Sequence, residues 1–502
     1  MNLLKVLGLI LAATISTKSQ SEKPFICGTE HLEDIKQEML HNRETFKGTV
    51  FLRNVLNYIP VKIHMVAYDD GSRPIAVLSV LKMMCSLNTA YADQNFQFYI
   101  KDMVVLNNTT ITEMPQSSGG ALQMSLNKDS KAINIFVVNK INKDGVAGYY
   151  QGPAGSSNDF IVIQKDYISD VRVAPHEVGH YLSLPHTFHG WDSDPWDATK
   201  HGNPVTSLFA PDGLTLNELA DSSNCGVKNV GDGFCDTPAD YNFGTNSCSF
   251  SLVVKDRIGN TLAPQTNNFM NYFFGCNGYI FTPNQKDAVV NSYNSTGRRD
   301  IRGTSPLNAT VIKNAAVLIK PVGGQNTVSA DSVELDWNDV EGATRYLVQY
   351  DVVSTFELQV VSTITKESKW TIRNLIPGRT YHWRVIPFND YSTCYPDPSR
   401  TTFKAGGATA TPDIPEVKSF LVAPNPIQEN KQLSIYLETK TSFNGTLSIY
   451  DVRGSRIQFQ SKERFQSGLT TKTFDLSGLS AGVYMVTLTS EKGVANRKIV
   501  VY

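Results

Sequence analysis

Three histidines and one glutamate are spaced so that they can build a metal site. Residues 174–186 read A-P-H-E-V-G-H-Y-L-S-L-P-H, an H-E-x-x-H motif followed by a third histidine. On a helix, His176 and His180 lie one turn apart on the same face, so both imidazoles can bind one Zn²⁺. Glu177 lies beside them and is the candidate general base.

The third histidine can reach the same metal only if the helix ends inside the motif. His186 lies too far beyond His180 to share its helix face. The chain must therefore turn sharply after Leu182 to bring His186 back as the third ligand. Pro175 has no N–H and belongs to the first helical turn, so the helix begins shortly before the first ligand. Three histidines and one open position form a tetrahedral catalytic site.

A surface helix that carries histidines by chance is the alternative. The chain has 9 His in 502 residues. Four fixed residue types at these offsets arise by chance in roughly one of several thousand such chains. The spacing therefore favours a metal site.

The motif resembles the metzincin signature H-E-x-x-H-x-x-G-x-x-H, and its longer form, H-E-V-G-H-x-L-x-L-x-H-T-F, is similar to that of the pappalysin (cytophagalysin) metallopeptidases. The resemblance implies a peptidase with one Zn²⁺ per subunit, bound by His176, His180 and His186, with Glu177 as general base. Ser183 stands where the signature has glycine. A positive φ at that position costs a non-glycine residue about 1 kcal/mol, which the helix end can tolerate.

A downstream segment, N-F-M-N-Y at residues 268–272, resembles the metzincin Met-turn. The resemblance implies that Met270 packs beneath the metal without binding it. It also implies that the Tyr272 hydroxyl assists the metal or the oxyanion of the reaction.

The region before the first clear strand contains a single cysteine. Residues 20–53 are polar and interrupted by charges, which suggests a propeptide. The resemblance implies a cysteine switch, in which Cys27 binds the zinc of the zymogen and excludes water from the fourth position. A leftover thiol without a role is the alternative.

Two further features of the predicted peptidase domain follow from the same resemblance. In an exported protein Cys225, Cys235, Cys248 and Cys276 predict disulfides, and the total of 7 cysteines leaves at least one thiol free. The sequence allows three pairings, and the resemblance implies Cys225 with Cys248 and Cys235 with Cys276.

The run G-D-G-F-C-D-T-P at residues 231–238 resembles a pappalysin segment, G-D-x-x-x-D-T-P. Asp232, Asp236 and Thr237 carry oxygen atoms that can bind Ca²⁺. Asx-turns that use the same aspartates explain the pattern equally well.

Composition and the N-terminus indicate an exported protein with several domains. Lys+Arg 46 and Asp+Glu 47 give a net charge of −1, which offers no indication of nucleic-acid binding. Residues 1–19 read as a signal peptide, with Lys5 before a short apolar run. A membrane anchor is the alternative, but this run is too short to span about 30 Å of hydrocarbon. We therefore expect no transmembrane segment after removal of the signal peptide.

Hydrophobic periodicity predicts strands and a helix before the motif, and their order resembles that of a metzincin; the resemblance implies a metzincin-like domain over residues 54–305. We expect an α+β fold with a twisted mixed sheet and the zinc-binding helix, followed by two all-β sandwich domains. Residues 147–152 form either an edge strand over the cleft or a plain loop. The other expected elements are a strand at 59–67, a helix at 75–91, and strands at 95–106, 132–138 and 159–163.

The C-terminal 200 or so residues divide into two β-rich regions. Residues 312–405 resemble a fibronectin type III domain, with a strand-borne Trp and the run L-x-P-x-x-x-Y at 375–381. Residues 406–417 form a linker. Residues 418–502 resemble the C-terminal sorting domain of the type IX secretion system of the Bacteroidetes, and a carbohydrate-binding β-sandwich is the alternative.

The sequence therefore predicts a secreted or surface-attached zinc endopeptidase, made as a zymogen and exported through the periplasm of a Gram-negative bacterium. Its expected partners are protein or peptide substrates and the type IX secretion machinery. One alternative is a surface adhesin with a non-catalytic zinc fold. The intact Glu177 argues against it, because a fold without catalytic activity has no reason to keep the general base. Another is a zinc amidase or deamidase that acts on a non-protein substrate.

Overall fold

The computed structural model covers most of the chain in two compact units. The first unit contains the described residues up to 51 together with 143–154 and 175–296, and the second contains the rest. The predicted signal peptide and residues 407–413 of the predicted linker lie outside the described residues. The described residues are 25–51, 55–244, 247–306, 309–327, 329–330, 332–358, 360–376, 378–406, 414–427, 431–451, 455–459 and 462–502.

Helices occur in the first 300 residues, and strands occur throughout. The helices are α1 (Leu32–Thr45), α2 (Val77–Ala90), α3 (Thr109–Glu113), α4 (Ser118–Asn127), α5 (Val173–Tyr181), α6 (Ala198–His201) and α7 (Pro283–Asn294). The strands before α5 are β1 (Ile26–Cys27), β2 (Asn57–Ala67), β3 (Phe96–Asn107), β4 (Ile133–Val138), β5 (Val146–Tyr150) and β6 (Ile161–Gln164).

The remaining strands lie after residue 317. They are β7 (Leu318–Lys320), β8 (Gln325–Asn326), β9 (Ser332–Trp337), β10 (Arg345–Asp351), β11 (Val361–Thr365), β12 (Lys369–Arg373), β13 (Thr380–Phe388), β14 (Arg400–Lys404), β15 (Val417–Ala423), β16 (Gln432–Thr439), β17 (Phe443–Asp451), β18 (Arg456–Phe459), β19 (Glu463–Phe465), β20 (Gly468–Asp475), β21 (Gly482–Ser490) and β22 (Gly493–Val501).

Parallel strands form the scaffold at the beginning of the second unit. Strands β6, β4, β2 and β3 pair in that order, and each of these pairings is parallel. Strand β4 is buried along its whole length, as a central parallel strand covered on both faces must be. The predicted strands and the predicted helix at 75–91 are confirmed, with small shifts at their ends.

The first unit is built mainly from helices, turns and isolated bridges. Strand β1 pairs in parallel with β5, so residues 146–150 form a strand and the loop alternative is excluded. Helix α1 packs against α7. The sequence reasoning missed both helices. The buried Ile35 and Met39 of α1 and the T-P-N-Q start of α7, with its capping box, are signals that could have found them.

The disulfide pairing implied by the resemblance is wrong. Cys225 pairs with Cys235 and Cys248 with Cys276, with Cα–Cα distances of 5.3 and 5.2 Å. The chain after Cys225 folds back at once to Cys235. The Cys248 amide donates to the Phe274 carbonyl at 3.0 Å, which brings Cys248 beside Cys276.

Two sandwiches follow in the second unit. The sheet β11-β10-β13-β14-β8 and the sheet β12-β9-β7 enclose one apolar core, which includes the buried Trp337 and Trp383. The Ile376 amide donates to the Tyr381 hydroxyl at 3.0 Å, a contact between a tyrosine hydroxyl and the upstream backbone like that of a tyrosine corner. Strands β15-β16-β20 and β18-β17-β21-β22 enclose a separate core. The α+β region and the β-sandwich character of the C-terminal strands are thus confirmed.

A third disulfide, which the sequence reasoning did not predict, lies within the second unit. It joins Cys85 on α2 to Cys394 in the loop between β13 and β14, across a sequence separation of 309 residues. The bond therefore links the parallel-strand scaffold covalently to the first sandwich. Among the described cysteines only Cys27 is free.

We predict that Cys85→Ser or Cys394→Ser lowers the free energy of unfolding of the second unit by about 2–4 kcal/mol, since each removes a cross-link from the unfolded chain. Chemical denaturation measures the loss, and the double variant should lose little more than either single variant. Thiol titration of the unfolded protein should find one thiol in the wild type and two in each single variant. Three thiols in the wild type would contradict the bond.

Candidate metal centre

Helix α5 carries the first two candidate ligands and ends as the sequence predicts. Ser183 has a φ of 67°, in the left-handed region. The Ser183 amide donates to the His180 carbonyl at 2.9 Å, and the Leu184 amide donates to the Gly179 carbonyl at 2.8 Å. These bonds close the last turn of the helix and redirect the chain toward His186.

The three imidazoles converge on one point. The Nε2 atom of His186 lies 3.2 Å from Nε2 of His176 and 3.1 Å from Nε2 of His180. The exposed fraction of each side chain is at most 1%. The structure thus brings together the three histidines that the motif nominated.

The opposite ring nitrogens fix the tautomer of each imidazole. Nδ1 of His176 lies 2.7 Å from the Phe269 carbonyl, and Nδ1 of His180 lies 2.8 Å from the Leu184 carbonyl. A carbonyl oxygen can only accept, so Nδ1 donates its proton and Nε2 presents a lone pair. Burial also holds the pKa of His180 well below its usual range, which favours the neutral ring.

The third ligand has a carboxylate as its partner. Nδ1 of His186 donates to Oδ1 of Asp192 at 2.6 Å, and Oδ2 of Asp192 accepts from the Gly190 amide at 2.9 Å. A carboxylate in this position orients the ring and increases its basicity toward a metal. The sequence analysis gave Asp192 no role.

The donor set fits a divalent metal ion. Three neutral imidazoles with lone pairs 3.1–3.2 Å apart repel one another unless a cation lies between them. Imidazole nitrogens are preferred ligands of Zn²⁺ and of several other first-row divalent ions. The site is therefore a candidate metal centre with three protein ligands.

Cys27 lies at the same point and comes from the N-terminal segment. Its Sγ and one ring nitrogen of each histidine all lie within 4.8 Å of one another. The thiol contacts the Thr29 hydroxyl at 3.1 Å, and strand β1 sets Cys27 opposite Gly148 of β5. Burial raises the pKa of the Cys27 thiol well above its ordinary value. A bound cation acts in the opposite direction and favours the thiolate.

Glu177 is fully buried next to these groups. Its Oε2 lies 3.5 Å from Cys27 Sγ and 3.5 Å from the Thr29 hydroxyl. Among the described residues, Oε1 has no hydrogen-bond partner. Burial raises the pKa of Glu177 to about 8. A desolvated carboxyl group of this kind has the properties of a general acid–base catalyst.

The Met-turn segment lies against the site. Met270 is fully buried, and a Cβ added at Gly179 of α5 would lie 2.4 Å from its Sδ. The Thr187 amide donates to the Met270 carbonyl at 3.2 Å. The Tyr272 hydroxyl lies 3.4 Å from Nε2 of His186. Tyr272 thus lies beside a candidate ligand, and Met270 lies against helix α5 at Gly179.

A cavity of about 630 Å³ adjoins the centre within the first unit. One wall belongs to the N-terminal segment, through Cys27, Thr29 and Leu32. The other wall includes His186 and Tyr272. The volume is large enough for a substrate side chain beside the metal ligands.

The candidate calcium residues have hydrogen-bond partners within the protein. Asp232 Oδ1 accepts from the Phe234 amide at 2.9 Å, which is an Asx-turn, and Oδ2 accepts from the Thr237 hydroxyl at 2.8 Å. Asp236 accepts from the Asn284 amide at 2.8 Å and so caps α7. Calcium binding at these residues stays a prediction.

Comparisons with known proteins agree with an exported metalloprotease. Residues 421–502 match the family model of the secretion system C-terminal sorting domain. The chain is similar to an extracellular metalloprotease of Neurospora crassa, with 25% identity over 205 residues that cover 36% of this chain and 69% of that protein. It is also similar to one of Sordaria macrospora, with 27% identity over 194 residues, covering 34% and 66%. The chain thus spans about two thirds of each relative.

A solved structure of the FN1–FN3 domains of chicken CNTN1 is also similar, with 12% identity, 38% of this chain and 69% of that chain covered, and a TM-score of 0.17.

The sorting domain and the extracellular relatives identify a secreted or cell-surface protein of a Gram-negative bacterium. The sorting domain also indicates an interaction with the secretion machinery. In the part of the chain that the structure describes, no helix is both long and apolar enough to cross a bilayer.

We predict that Gly179→Ala disturbs the centre, because the new Cβ would overlap Met270 Sδ and force apart α5 and the Met-turn. Such overpacking costs about 1–3 kcal/mol of unfolding free energy. Metal affinity, measured by competition with a chelator, should fall with it. Gly119→Ala on α4 is the matched control, since its nearest neighbour lies at 3.7 Å. Equal effects of both substitutions would contradict the prediction.

Proposed function

We propose that this protein is a zinc-dependent endopeptidase of the pappalysin type, made as a latent precursor that cleaves extracellular proteins once activated. The observation that carries the proposal is the convergence of three Nε2 lone pairs, each fixed from Nδ1, beside the buried carboxyl group of Glu177. The similarity to extracellular metalloproteases supports the same conclusion.

His176, His180 and His186 would hold the metal, and Asp192 would keep His186 oriented. When bound, zinc supplies Lewis-acid activation of a water molecule and of the scissile carbonyl. The chain then has two tasks, which are to move protons and to stabilise the negative charge that develops on the substrate oxygen.

Glu177 performs the proton transfers in this proposal. Its Oε2 takes a proton from the attacking water and later delivers it to the nitrogen of the leaving amine. The Tyr272 hydroxyl, 3.4 Å from His186 Nε2, can donate a hydrogen bond to the developing oxyanion. Met270 acts only through packing beneath the ligands.

The position of the N-terminal segment supports the latency in this proposal. Cys27 Sγ, in contact with Oε2 of Glu177, excludes water from the place where the reaction would begin. We propose that it binds the zinc of the precursor as a thiolate, in the fourth ligand position. Activation then requires the Cys27 thiolate to leave the fourth ligand position.

We predict that Glu177→Ala retains the metal, because the three imidazoles remain, and loses peptidase turnover by a factor on the order of 10²–10⁴. The measurement is cleavage of casein, with metal content by mass spectrometry. Chelation of the wild type should also abolish cleavage, and Zn²⁺ should restore it. Wild-type cleavage by Glu177→Ala would refute the catalytic assignment. A wild type that cleaves no protein would favour the amidase or adhesin alternative.

We predict that the Cys27→Ala precursor becomes active without external processing, since the fourth ligand position is then open to water. The measurement is the time course of precursor cleavage and of activity after purification. The double variant Cys27→Ala/Glu177→Ala is the control and should stay uncut, which distinguishes self-processing from a contaminating protease. A Cys27→Ala precursor as silent as the wild type would contradict the switch.

A further inference from the structure

Helix α1 buries an unusual set of side chains in the first unit. Ile35, Lys36, Met39 and Asn42 are each at most 5% exposed. A lysine with an exposed fraction of 1% must have a partner for its ammonium group. Lys36 Nζ donates to the Gly231 carbonyl at 2.7 Å. This contact joins the N-terminal segment to the loop of residues 231–238, which contains the candidate calcium ligands.

A second cation of α1 binds the same loop. Arg43 lies two turns after Lys36 on the same helix face, and its guanidinium donates to the Gly233 carbonyl at 2.7 Å. Met39 lies between them, with its Cε 3.1 Å from the place where a Cβ of Gly233 would lie. One apolar and two cationic side chains of α1 therefore fit one short loop.

The loop needs glycine at both carbonyls. Gly231 and Gly233 have φ values of +41° and +85°, in the left-handed region. A Cβ at Gly231 would also lie 2.7 Å from Oε2 of Glu218. Burial raises the pKa of the carboxyl groups of Glu218 and Asp232, and the nearby charge of Lys36 partly offsets this rise. The loop thus offers backbone carbonyl acceptors to a cationic helix.

A third contact has the opposite polarity. Glu33 at the start of α1 accepts from His189 Nε2 at 2.9 Å, and the hydrogen bond holds the pKa of Glu33 at about 2. His189 is 4% exposed. The surface formed by His189, Gly231 and Gly233 therefore offers one hydrogen-bond donor and two acceptors. These groups pair with the acid Glu33 and the cations Lys36 and Arg43, in that order along α1. None of these contacts involves Cys27 or the metal ligands.

The chain after α1 is open to cleavage. Gly48 has no neighbour within 4 Å of an added Cβ, and Val50 is 90% exposed. A cut at this point would separate residues 25–48 from the rest of the protein without touching the surface described above. The contacts of α1 would then be the ones that decide whether the cut segment leaves.

We propose that the surface of His189, Gly231 and Gly233 is a binding site for helix α1 that retains the N-terminal segment after cleavage, independently of Cys27. The segment, once cut from the rest of the chain, is then a dissociable inhibitor of the activated enzyme. The retention part stands on the contacts of α1 alone, and the inhibitory part rests on the proposed function.

Retention is tested with the full chain, carrying a thrombin sequence inserted between Gly48 and Thr49 and Glu177→Ala to prevent self-cleavage. Cys27→Ser removes the thiol contact from every protein in the series. The test variant adds Lys36→Met and Arg43→Met. The control adds Lys47→Met, whose ammonium pairs, within the described residues, with the exposed Glu44. After thrombin cleavage, native mass spectrometry and gel filtration measure the fraction of segment that stays bound.

We expect the Cys27→Ser protein and the Lys47→Met control to retain the cut segment. Each loss of a charge-assisted hydrogen bond should weaken retention by about 10- to 100-fold, so the Lys36→Met/Arg43→Met protein should release it. Release by Cys27→Ser alone, or retention by the double-methionine variant equal to that of the control, would overturn the proposal. If the variant with Lys36→Met does not fold, retention by the single variant Arg43→Met is compared with that of the control. Arg43 is exposed, so this single substitution can be tested on its own.

Inhibition is tested separately with a synthetic peptide of residues 25–48 added to activated wild-type enzyme. The native peptide should inhibit at lower concentration than a peptide carrying Lys36→Met and Arg43→Met. Equal potency of the two peptides would overturn the inhibitory part. An enzyme without peptidase activity would refute the proposed function and leave the retention result standing.

Discussion

The structure depends on keeping three unprotonated ring nitrogens together in a space from which water is excluded. Each ring can present a lone pair only because its opposite nitrogen donates to an oxygen atom, and those oxygens belong to three separate segments. Two are backbone carbonyls and one is the carboxylate of Asp192. The loops around the centre are therefore as necessary as helix α5, because they determine which nitrogen of each ring carries the proton.

The N-terminal segment uses two kinds of interaction with the first unit. Around Cys27 it fills a small space beside the metal ligands, where a single side chain decides access to Glu177. Along α1 it uses hydrogen bonds and apolar contacts spread over a wider surface. In the functions proposed above, the first kind would control chemistry and the second would control residence time, so the two could change independently of each other.

The sequence predicted the parts of the site that depend on local geometry. Helical spacing and the turn at Ser183 required only the repeat of the α-helix and one left-handed residue. Asp192 was missed because its partner is chosen by the path of a loop that no periodicity describes. The predicted pairings of Cys225 with Cys248 and of Cys235 with Cys276 were wrong for the same reason, since the pairing depends on how two irregular loops fold back. Helix α1 was missed although Met39 and its apolar neighbours repeat at helical spacing.

The bond between Cys85 and Cys394 divides the chain into regions with different fates after a backbone cut. It closes a covalent ring that contains the α5 helix, the Met-turn and most of the first sandwich. One cut anywhere inside the ring opens it without releasing a fragment, so a molecule that is cut there once stays covalently in one piece. Cuts before or after the ring detach the N-terminal segment or the sorting domain. A single backbone cut can therefore release residues only from the two ends of the molecule.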